Sequence, residues 1–264
     1  MSRPEPPTAK RLILSLMAAP DLDQVPISTL LMWGKLFDID AATVRVTVGR
    51  LLRQGLLDSP SRGVYSIGHA GKLLSDTARA WISAEQRVSA WQGDWLLVHT
   101  AHLGRSNRTA LRVRERAFRL NGFAAWQPGL QCRPANLTET PAETRDNLLR
   151  LGLESDAIVI RAKELPGTRQ RELEKLWPRK ALESAYRRHI RAMQRSLPRL
   201  AKIPLARAAR ESLQIGEAVI RQVNSDPMLP QQMIDSASRR EMIEQMIAYD
   251  NAGRDIWRQL SEQP

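Results

Sequence analysis

The sequence predicts an α+β protein built from several domains, and three observations support this. Its 264 residues exceed the usual size of a single domain, so two or three domains are expected. Stretches with helical periodicity alternate with short strand-like stretches up to about residue 165, and only helical stretches follow. Hydrophobic residues make up 42% and charged residues 26%, as is typical of a folded globular chain. We expect three consecutive domains, over residues 1–88, 89–167 and 168–264.

The charge balance is strongly positive. Forty lysines and arginines oppose 28 aspartates and glutamates, which gives a formal net charge of +12. Such an excess attracts polyanions, of which nucleic acid is the commonest. An arginine-rich protein without a nucleic-acid partner is the alternative. The excess is spread along the whole chain, so charge alone does not locate a contact surface.

Cysteine content and hydropathy indicate the compartment. Cys132 is the only cysteine, which excludes an intrachain disulfide and a cysteine-based zinc site and fits a reducing cytoplasm. The proline-rich N-terminus has no apolar stretch of the kind found in signal peptides. No apolar run reaches the roughly 18 residues needed to span a bilayer. We therefore expect a cytoplasmic protein with no membrane partner.

The first two elements are predicted to be helices. Residues 9–19 carry apolar side chains at helical spacing and are predicted to form a short helix. Residues 21–26 are predicted to be a loop. A second helix is expected to follow Pro26 and to run to about Leu36, with Ser28 as its N-cap.

A third helix is predicted over residues 41–54, with Asp40 as its N-cap and Gly55 just past its end. Its core-facing side chains share helical spacing and are Val44, Val48, Leu51 and Leu52. Its other face is short-chained and basic, and the helix has no acidic residue after its cap. The residues of that face are Thr43, Arg45, Val46, Thr47, Gly49, Arg50 and Arg53.

This face has the composition of a DNA-recognition helix. Arginine suits bidentate contact with guanine, and threonine suits a phosphate or a thymine methyl group. Recognition helices use their N-terminal half for base edges. We therefore expect base or nearby phosphate contacts from the N-terminal half, namely Thr43, Arg45, Val46 and Thr47. Arg50 and Arg53 are expected to contact the DNA backbone.

A hairpin and a long helix are predicted next. Residues 56–59 and 64–67 are short strand candidates, joined by a turn over residues 60–63. Arg62 lies in that turn, where it could enter a minor groove. The predicted order is two helices, a recognition helix and a basic-tipped hairpin. This order predicts a winged helix-turn-helix that reads the major groove. Residues 70–90 are predicted to form one long helix that links this domain to the next.

The central segment is predicted to be ferredoxin-like, because its elements follow the order βαββαβ. The predicted strands cover residues 95–100, 123–126, 130–133 and 157–165, and the predicted helices cover residues 107–121 and 140–151.

The first of these central helices carries a basic stripe. Its members are Arg108, Arg112, Arg116 and Arg119, with Arg114 nearby. A phosphate-binding face for DNA or a nucleotide-like effector is one interpretation. A solvated face opposite acidic neighbours is the other, and the sequence leaves both open.

The last third of the chain is predicted to be helical, with a domain boundary at Pro166-Gly167. Helical stretches cover residues 173–197, with an interruption at Pro178, and residues 204–223 and 231–260. This region contains no combination of nucleophile, base and acid that would indicate an enzyme.

Four motifs, in order along the chain, resemble a known family of bacterial regulators. The motifs are RGVYSI at residues 62–67 with Gly71 after it, WQGDWLLV at 91–98, GFAAWQPGLQCRP at 122–134 and DPMLP at 226–230. Together they resemble the PaaX family, repressors of phenylacetate-degradation operons and their relatives. In addition, Thr43-Val44-Arg45 followed by Gly55-Leu56-Leu57 resembles the core of many winged-helix regulators.

The resemblance implies a function and partners. It implies a homodimer that binds a palindromic double-stranded operator and is released by an aryl- or acyl-coenzyme A effector, typically phenylacetyl-coenzyme A. The C-terminal region is implied to form the dimer and the effector site. No motif assigns effector-binding residues, and no other cofactor, no metal and no catalytic residue is expected.

Two alternative functions stay open at this point. The central domain of the family resembles small CRISPR-associated nucleases, which carry a metal-binding aspartate at the end of the first strand. Residues 98–102 contain no carboxylate, and Asp94 precedes the strand. His99 and His102 could bind a soft metal, although such pairs are more often polar side chains at a strand end. The second alternative is a non-specific RNA- or DNA-binding protein that uses the basic patches.

Overall fold

The computed structural model describes residues 6–19, 22–163 and 167–262 of the chain. It shows an α+β protein with one three-stranded and one four-stranded antiparallel sheet. The chain divides into two compact units. The first consists of the described residues of Met1–Trp81, Arg191–Ile220 and Glu244–Pro264, and the second of those of Ile82–Ile190 and Arg221–Ile243. Three consecutive domains were expected, but residues 168–264 contribute to both units.

The N-terminal part of the first unit contains four helices and three strands. These are α1 (Ala9–Met17), β1 (Val25–Pro26), α2 (Ile27–Leu36), α3 (Ala41–Arg53), β2 (Leu57–Ser61), β3 (Val64–Ile67) and α4 (His69–Arg79). The apolar stripe of α1 is buried, as its helical spacing predicts, and contributes Leu12, Ile13, Leu16 and Met17 to the core. The strand order in the sheet is β1-β3-β2.

Two predictions for this part were wrong near Pro26. The expected loop contains the strand β1, in which Val25 pairs with Tyr65 and Pro26 with Val64. Proline is tolerated there because β1 is an edge strand and its missing N–H leaves no ladder bond unmade. Ser28 does not cap α2, which begins one residue earlier. The amide of Ile27 instead donates to the Gly63 carbonyl at 2.8 Å.

The predicted long helix over residues 70–90 was also wrong. α4 ends at Arg79, and two short 3-10 turns follow, Ala80–Ser83 and Glu85–Arg87. Trp81 and Ala84, three residues apart, are both buried.

Four helices lie within the described residues 167–262. These are α7 (Gly167–Glu174), α8 (Arg179–Leu200), α9 (Leu205–Asn224) and α10 (Ser236–Ser261). The predicted interruption at Pro178 is confirmed by the break between α7 and α8. The first helix, predicted to reach residue 19, ends at Met17. The Pro166 side of the predicted domain boundary lies outside the described residues. No helix in the described part of the chain combines the length and the apolarity needed to cross a bilayer.

The second unit contains the predicted βαββαβ order. Its elements are β4 (Trp95–His99), α5 (Arg108–Leu120), β5 (Ala124–Gln127), β6 (Leu130–Pro134), α6 (Pro141–Arg150) and β7 (Ile158–Ala162). The strand order is β5-β6-β4-β7, with every neighbouring pair antiparallel. Side chains from one sheet face and from α5 and α6 form the core between them, including Leu96, Val98, Phe118 and Leu148. The last residues of the strand predicted to reach 165 lie outside the described ranges.

The other sheet face is covered in part by tryptophans. The Trp95 ring meets Trp91 edge-on at 5.4 Å between centroids and stacks on Trp177 at 6.1 Å. Trp177 also donates from Nε1 to the Gly122 carbonyl at 3.2 Å. Cys132 lies buried on β6, and burial raises the pKa of its thiol to about 12.

Residues 226–230 form a buried loop in the second unit. The Asp226 carboxylate accepts from the Tyr186 hydroxyl at 2.6 Å and from the Met228 amide at 2.9 Å. Burial raises the pKa of Asp226 above its usual value, although both hydrogen bonds oppose this. A Cβ added at Gly122 would lie 2.7 Å from the Cα of Pro227, so only glycine permits this approach. The sequence motifs at residues 122–134 and 226–230 therefore pack against each other here.

Candidate nucleic-acid interface

The helix α3 begins at a side-chain cap. Asp40 accepts from the Thr43 amide at 2.8 Å and from the Thr43 hydroxyl at 2.7 Å. These bonds, the hydroxyl first, hold the pKa of Asp40 below its usual value, so the cap stays ionised at neutral pH. At the other end Gly55 takes a left-handed conformation with φ of 64°, as its position past the helix predicts.

The inner face of α3 anchors the helix in the first unit. Val44, Val48 and Leu51 are buried, and Leu52 is partly buried. α2 passes very close, because a Cβ added at Gly34 would lie 2.6 Å from Cγ2 of Val44. The predicted core side of this helix is therefore confirmed, and its rotation about its own axis is fixed by packing.

The outer face of α3 is basic and open to solvent. Arg45, Arg50 and Arg53 are exposed, and none of them takes part in an ion pair within the described part of the chain. Val46 is 60% exposed, unusually high for a branched aliphatic side chain. Thr43 is exposed and Thr47 is partly exposed. All six side chains are thus accessible to solvent; at about 100° per residue, Val46 and Arg53 lie opposite the buried face, with Arg45 and Thr47 on its two flanks.

The hairpin β2–β3 carries the seventh predicted residue, Arg62, exposed in its turn. The turn is shorter than predicted, because β2 continues to Ser61 and pairs with Val64. Only Arg62 and Gly63 form it, and Gly63 supplies the positive φ of 76° that a tight turn requires. Ser59 helps to close the hairpin by donating its hydroxyl to the Val64 carbonyl at 3.2 Å.

Close backbone contacts connect the start of α4 to the turn between α3 and β2. A Cβ at Gly68 would lie 2.5 Å from the Gly55 carbonyl oxygen, and one at Gly71 would lie 2.2 Å from that of Leu56. The start of α4 therefore passes directly over the turn between α3 and β2. Gly71 belonged to a motif in the sequence, whereas no sequence signal identified Gly68.

Sequence reasoning also missed the C-terminal residues that support this surface within the first unit. Arg210 of α9 pairs with Asp38 at 3.1 Å and lies over the Phe37 ring, in the turn before α3. Glu217 pairs with Arg11 at 3.0 Å and accepts from the Ser15 hydroxyl at 3.0 Å. These partners lie about two hundred residues apart in sequence, so no local pattern could reveal them.

The two histidines noted in the central segment stack on each other. Their ring centroids lie 5.1 Å apart, and His102 contacts the Asp156 carbonyl through Nε2 at 2.8 Å. Asp94 pairs with Arg161 at 2.9 Å. No group of three or more His, Cys, Asp or Glu side chains suited to a metal ion occurs among the described residues.

The basic stripe of the central helix is present on α5 with one correction. Four of its arginines are exposed on one face, Arg108, Arg112, Arg116 and Arg119. Arg114 points the other way and is buried, with two hydrogen bonds to the Glu154 carboxylate and one to the Gly104 carbonyl. It therefore belongs to the support of the helix and not to the stripe.

Comparisons with known proteins bear on the fold. No protein-family model matches the chain, and no curated protein is significantly similar to it in sequence. Among solved structures, the chain is similar to the "Uncharacterized protein Rv0674 from Mycobacterium tuberculosis", with a TM-score of 0.62 and 21% sequence identity. The similarity covers 95% of this chain and 99% of that one, so the two share their fold over nearly their full lengths.

Proposed function

We propose that this chain is a sequence-specific regulator that binds double-stranded DNA through an N-terminal winged helix-turn-helix. The observation that carries the proposal is the outer face of α3, where three exposed arginines and an exposed valine stand without a carboxylate on the helix itself. An ordinary solvated helix mixes acidic and basic residues. A face of this kind is suited to a polyanion with an apolar feature, which describes the major groove.

Each residue of this face has a role in the proposed complex. Arg45 reads guanine through two parallel hydrogen bonds, and Val46 lies against a thymine methyl group. The Thr43 hydroxyl gives its proton to Asp40, so its oxygen is left to accept from a base amino group or a water. Thr47 completes the base-reading surface. Arg50 and Arg53 follow along the helix and bind phosphates, and Arg62 at the hairpin tip enters the adjoining minor groove.

The rest of the chain makes this binding controllable in the proposal. The βαββαβ elements with strand order β5-β6-β4-β7 correspond to a ferredoxin-like domain. The resemblance of the four sequence motifs to the PaaX family supports a homodimeric repressor on a palindromic operator. The same resemblance supports release by an aryl- or acyl-coenzyme A thioester, which would bind one arrangement of the dimer better than another.

Site selection from a random duplex library tests the DNA assignment. We expect the full chain to select a defined sequence. Arg45→Ala should lower the affinity for that sequence about 10- to 100-fold, the value of a lost bidentate base contact. Fluorescence anisotropy with labelled duplexes measures this, with the exposed Arg240→Ala as the charge-matched control. If no sequence is selected, or Arg45→Ala binds as tightly as the wild type, the assignment fails.

A second measurement tests control by an effector. A gel shift on the DNA upstream of the protein's own gene, repeated with a panel of acyl-coenzyme A thioesters, should show release by one member. Light scattering of the free protein should give twice the mass of one chain. A monomeric protein that no thioester releases would contradict this part of the proposal and leave the DNA assignment intact.

A further inference from the structure

The exposed face of α5 forms a second basic surface that lies in the other compact unit. We call it the α5 stripe, and it consists of Arg108, Arg112, Arg116 and Arg119. Steps of four, four and three residues keep these side chains on one face of the helix. None of the four takes part in an ion pair within the described ranges. The stripe therefore presents four arginine charges to solvent that no ion pair neutralises.

One carboxylate interrupts the stripe. Glu115 is exposed and lies near the same face, and the remaining charge of the face is still strongly positive. The acidic residues on α6 and just before it are Glu139, Glu143 and the exposed Asp146, and none of them pairs with an arginine of the stripe within the described ranges. Glu139 pairs with Arg87 at 3.7 Å and accepts from Asn147, and Glu143 caps α6 through Thr140. The second interpretation left open by the sequence, a solvated face opposite acidic neighbours, therefore has no direct ion pair in its support.

The buried side of α5, opposite the stripe, anchors the helix in the second unit. Arg114 is buried with its guanidinium bound to Glu154, and Ala117 and Phe118 lie in the core of the second unit. Asn107 caps the first turn by accepting from the amides of Thr109 and Ala110. The four arginines thus project from a rigid rod about 16 Å long between the first and the last.

We propose that the α5 stripe is a second DNA-contact surface that binds the phosphate backbone of duplex DNA without reading its sequence. Each strand of a duplex carries a phosphate about every 3.4 Å along the axis, so the stripe spans about five of them. Proteins that bind single strands add aromatic side chains on which bases stack. The exposed side chains of α5 include no aromatic residue, which favours a duplex backbone over single-stranded RNA.

This inference rests on the proposed function, since it assigns a second surface to the same ligand. It predicts that the chain divides the two parts of DNA binding between its two units. α3 supplies the preference for one sequence, and the α5 stripe adds affinity for any duplex. Its contribution arises from counterion release and so falls as salt rises.

The test compares four forms of the full chain. These are the wild type, Arg112→Ala/Arg116→Ala, Arg45→Ala/Arg50→Ala and the combination of all four changes. Anisotropy titrations between 50 and 200 mM NaCl use two 30-base-pair duplexes, one with the selected site and one without it. Arg112→Ala/Arg116→Ala loses two phosphate contacts. Its slope of log affinity against log salt should therefore be less steep than that of the wild type by about 1.8 for both duplexes. The ratio of the two affinities should stay at its wild-type value.

Three further variants sharpen the result. Arg112→Lys/Arg116→Lys keeps the charge and should keep the wild-type slope. Glu115→Gln removes the one carboxylate of the face and should bind both duplexes more tightly. The charge-matched control Arg195→Ala/Arg240→Ala, at two exposed arginines elsewhere, should leave the slope unchanged. Circular dichroism of each variant verifies that the fold is kept.

The outcomes separate this inference from the proposed function. A wild-type slope for Arg112→Ala/Arg116→Ala overturns the α5 stripe as a DNA surface. The same conclusion follows if this variant loses affinity only for a 30-nucleotide single-stranded RNA probe, which would assign the stripe to RNA. A wild-type sequence preference in Arg45→Ala/Arg50→Ala instead overturns the proposed reading by α3, whatever the slope of the stripe variant.

Discussion

At the scale of single residues, the most informative contact is the ion pair that holds α5 in place. The Arg114 side chain is only 7% exposed, and Glu154 is 33% exposed. Nε of Arg114 donates to one carboxylate oxygen at 3.1 Å, and Nη2 donates to the other at 2.5 Å. Removing one partner of such a pair leaves a buried charge without compensation, which costs more than the pair itself contributes.

Glu154→Gln should therefore destabilise the protein at neutral pH, by about 2 kcal/mol once screening at the partly exposed carboxylate is considered. The hydrogen bonds from Arg114 hold the pKa of Glu154 below its usual 4.5. A lowered pKa means that the stabilisation is complete above pH 4.5 and is lost as the pH falls through the folded value. Urea unfolding at pH 7 and pH 3 should show a smaller difference in unfolding free energy between wild type and variant at pH 3.

The matched control is Glu115→Gln on α5, next to Arg114, at an exposed carboxylate outside any ion pair of the described residues. It should change the unfolding free energy little at either pH. A gap for Glu154→Gln that is equally large at pH 3 would show that the ion pair is not its cause.

At the scale of elements, the crossing of α2 and α3 sets how the basic face is presented. Gly34 and Val44 meet there with no room for a Cβ, because the nearest side-chain atom would be 2.6 Å away. Gly49 lies on the outer side of α3, and a Cβ there would meet nothing closer than 3.9 Å. Both glycines lie in helices, but only Gly34 is needed for packing.

Gly34→Ala should destabilise the protein by about 1–3 kcal/mol, because an extra methyl group forces the two helices apart. Gly49→Ala should stabilise it by about 0.5–1 kcal/mol, since alanine loses less backbone entropy in a helix. Urea unfolding followed by tryptophan fluorescence measures both. Equal effects of the two substitutions would contradict the assigned packing.

The elements also show where sequence reasoning succeeds. The cap at Asp40, the left-handed Gly55 and the buried stripe of α3 follow from residues within a few positions of one another, and all were predicted. The strand at Val25 was not predicted, because it exists only through its pairing with β3. The end of α4 at Arg79 was missed for a similar reason, since the residues beyond it have helical propensity and their burial decides otherwise.

At the scale of the whole molecule, the N-terminal module shares its core with the C-terminal part of the chain. Within the first unit, the Trp257 ring of α10 meets Trp33 edge-on at 6.2 Å and stacks on Phe37 at 6.5 Å between centroids. Trp33 and Phe37 belong to α2 and to the turn before α3. The presentation of the proposed recognition helix therefore depends on residues more than two hundred positions away.

Trp257→Ala should lower the unfolding free energy of the first unit by about 3–5 kcal/mol, because it leaves a cavity beside two aromatic rings. Thermal unfolding followed by circular dichroism measures this. Arg258→Ala, one position along the same helix at an exposed residue, is the control and should stay close to wild type. An unchanged melting temperature for Trp257→Ala would mean that the N-terminal part of the first unit is stable without this packing by α10.

The sequence by itself determined the α+β class and the order of elements in both sheets except for β1, and it predicted that the face of α3 opposite its core would be open to solvent. These features depend on periodicity, caps and turn chemistry, which act between residues close together in the chain. Only the tertiary structure decided that residues 168–264 contribute to two units, that Arg114 is buried against Glu154, and that Arg210 supports the turn before α3. Arg210 and Asp38 are 172 positions apart, and contacts at that separation arise from how whole elements pack.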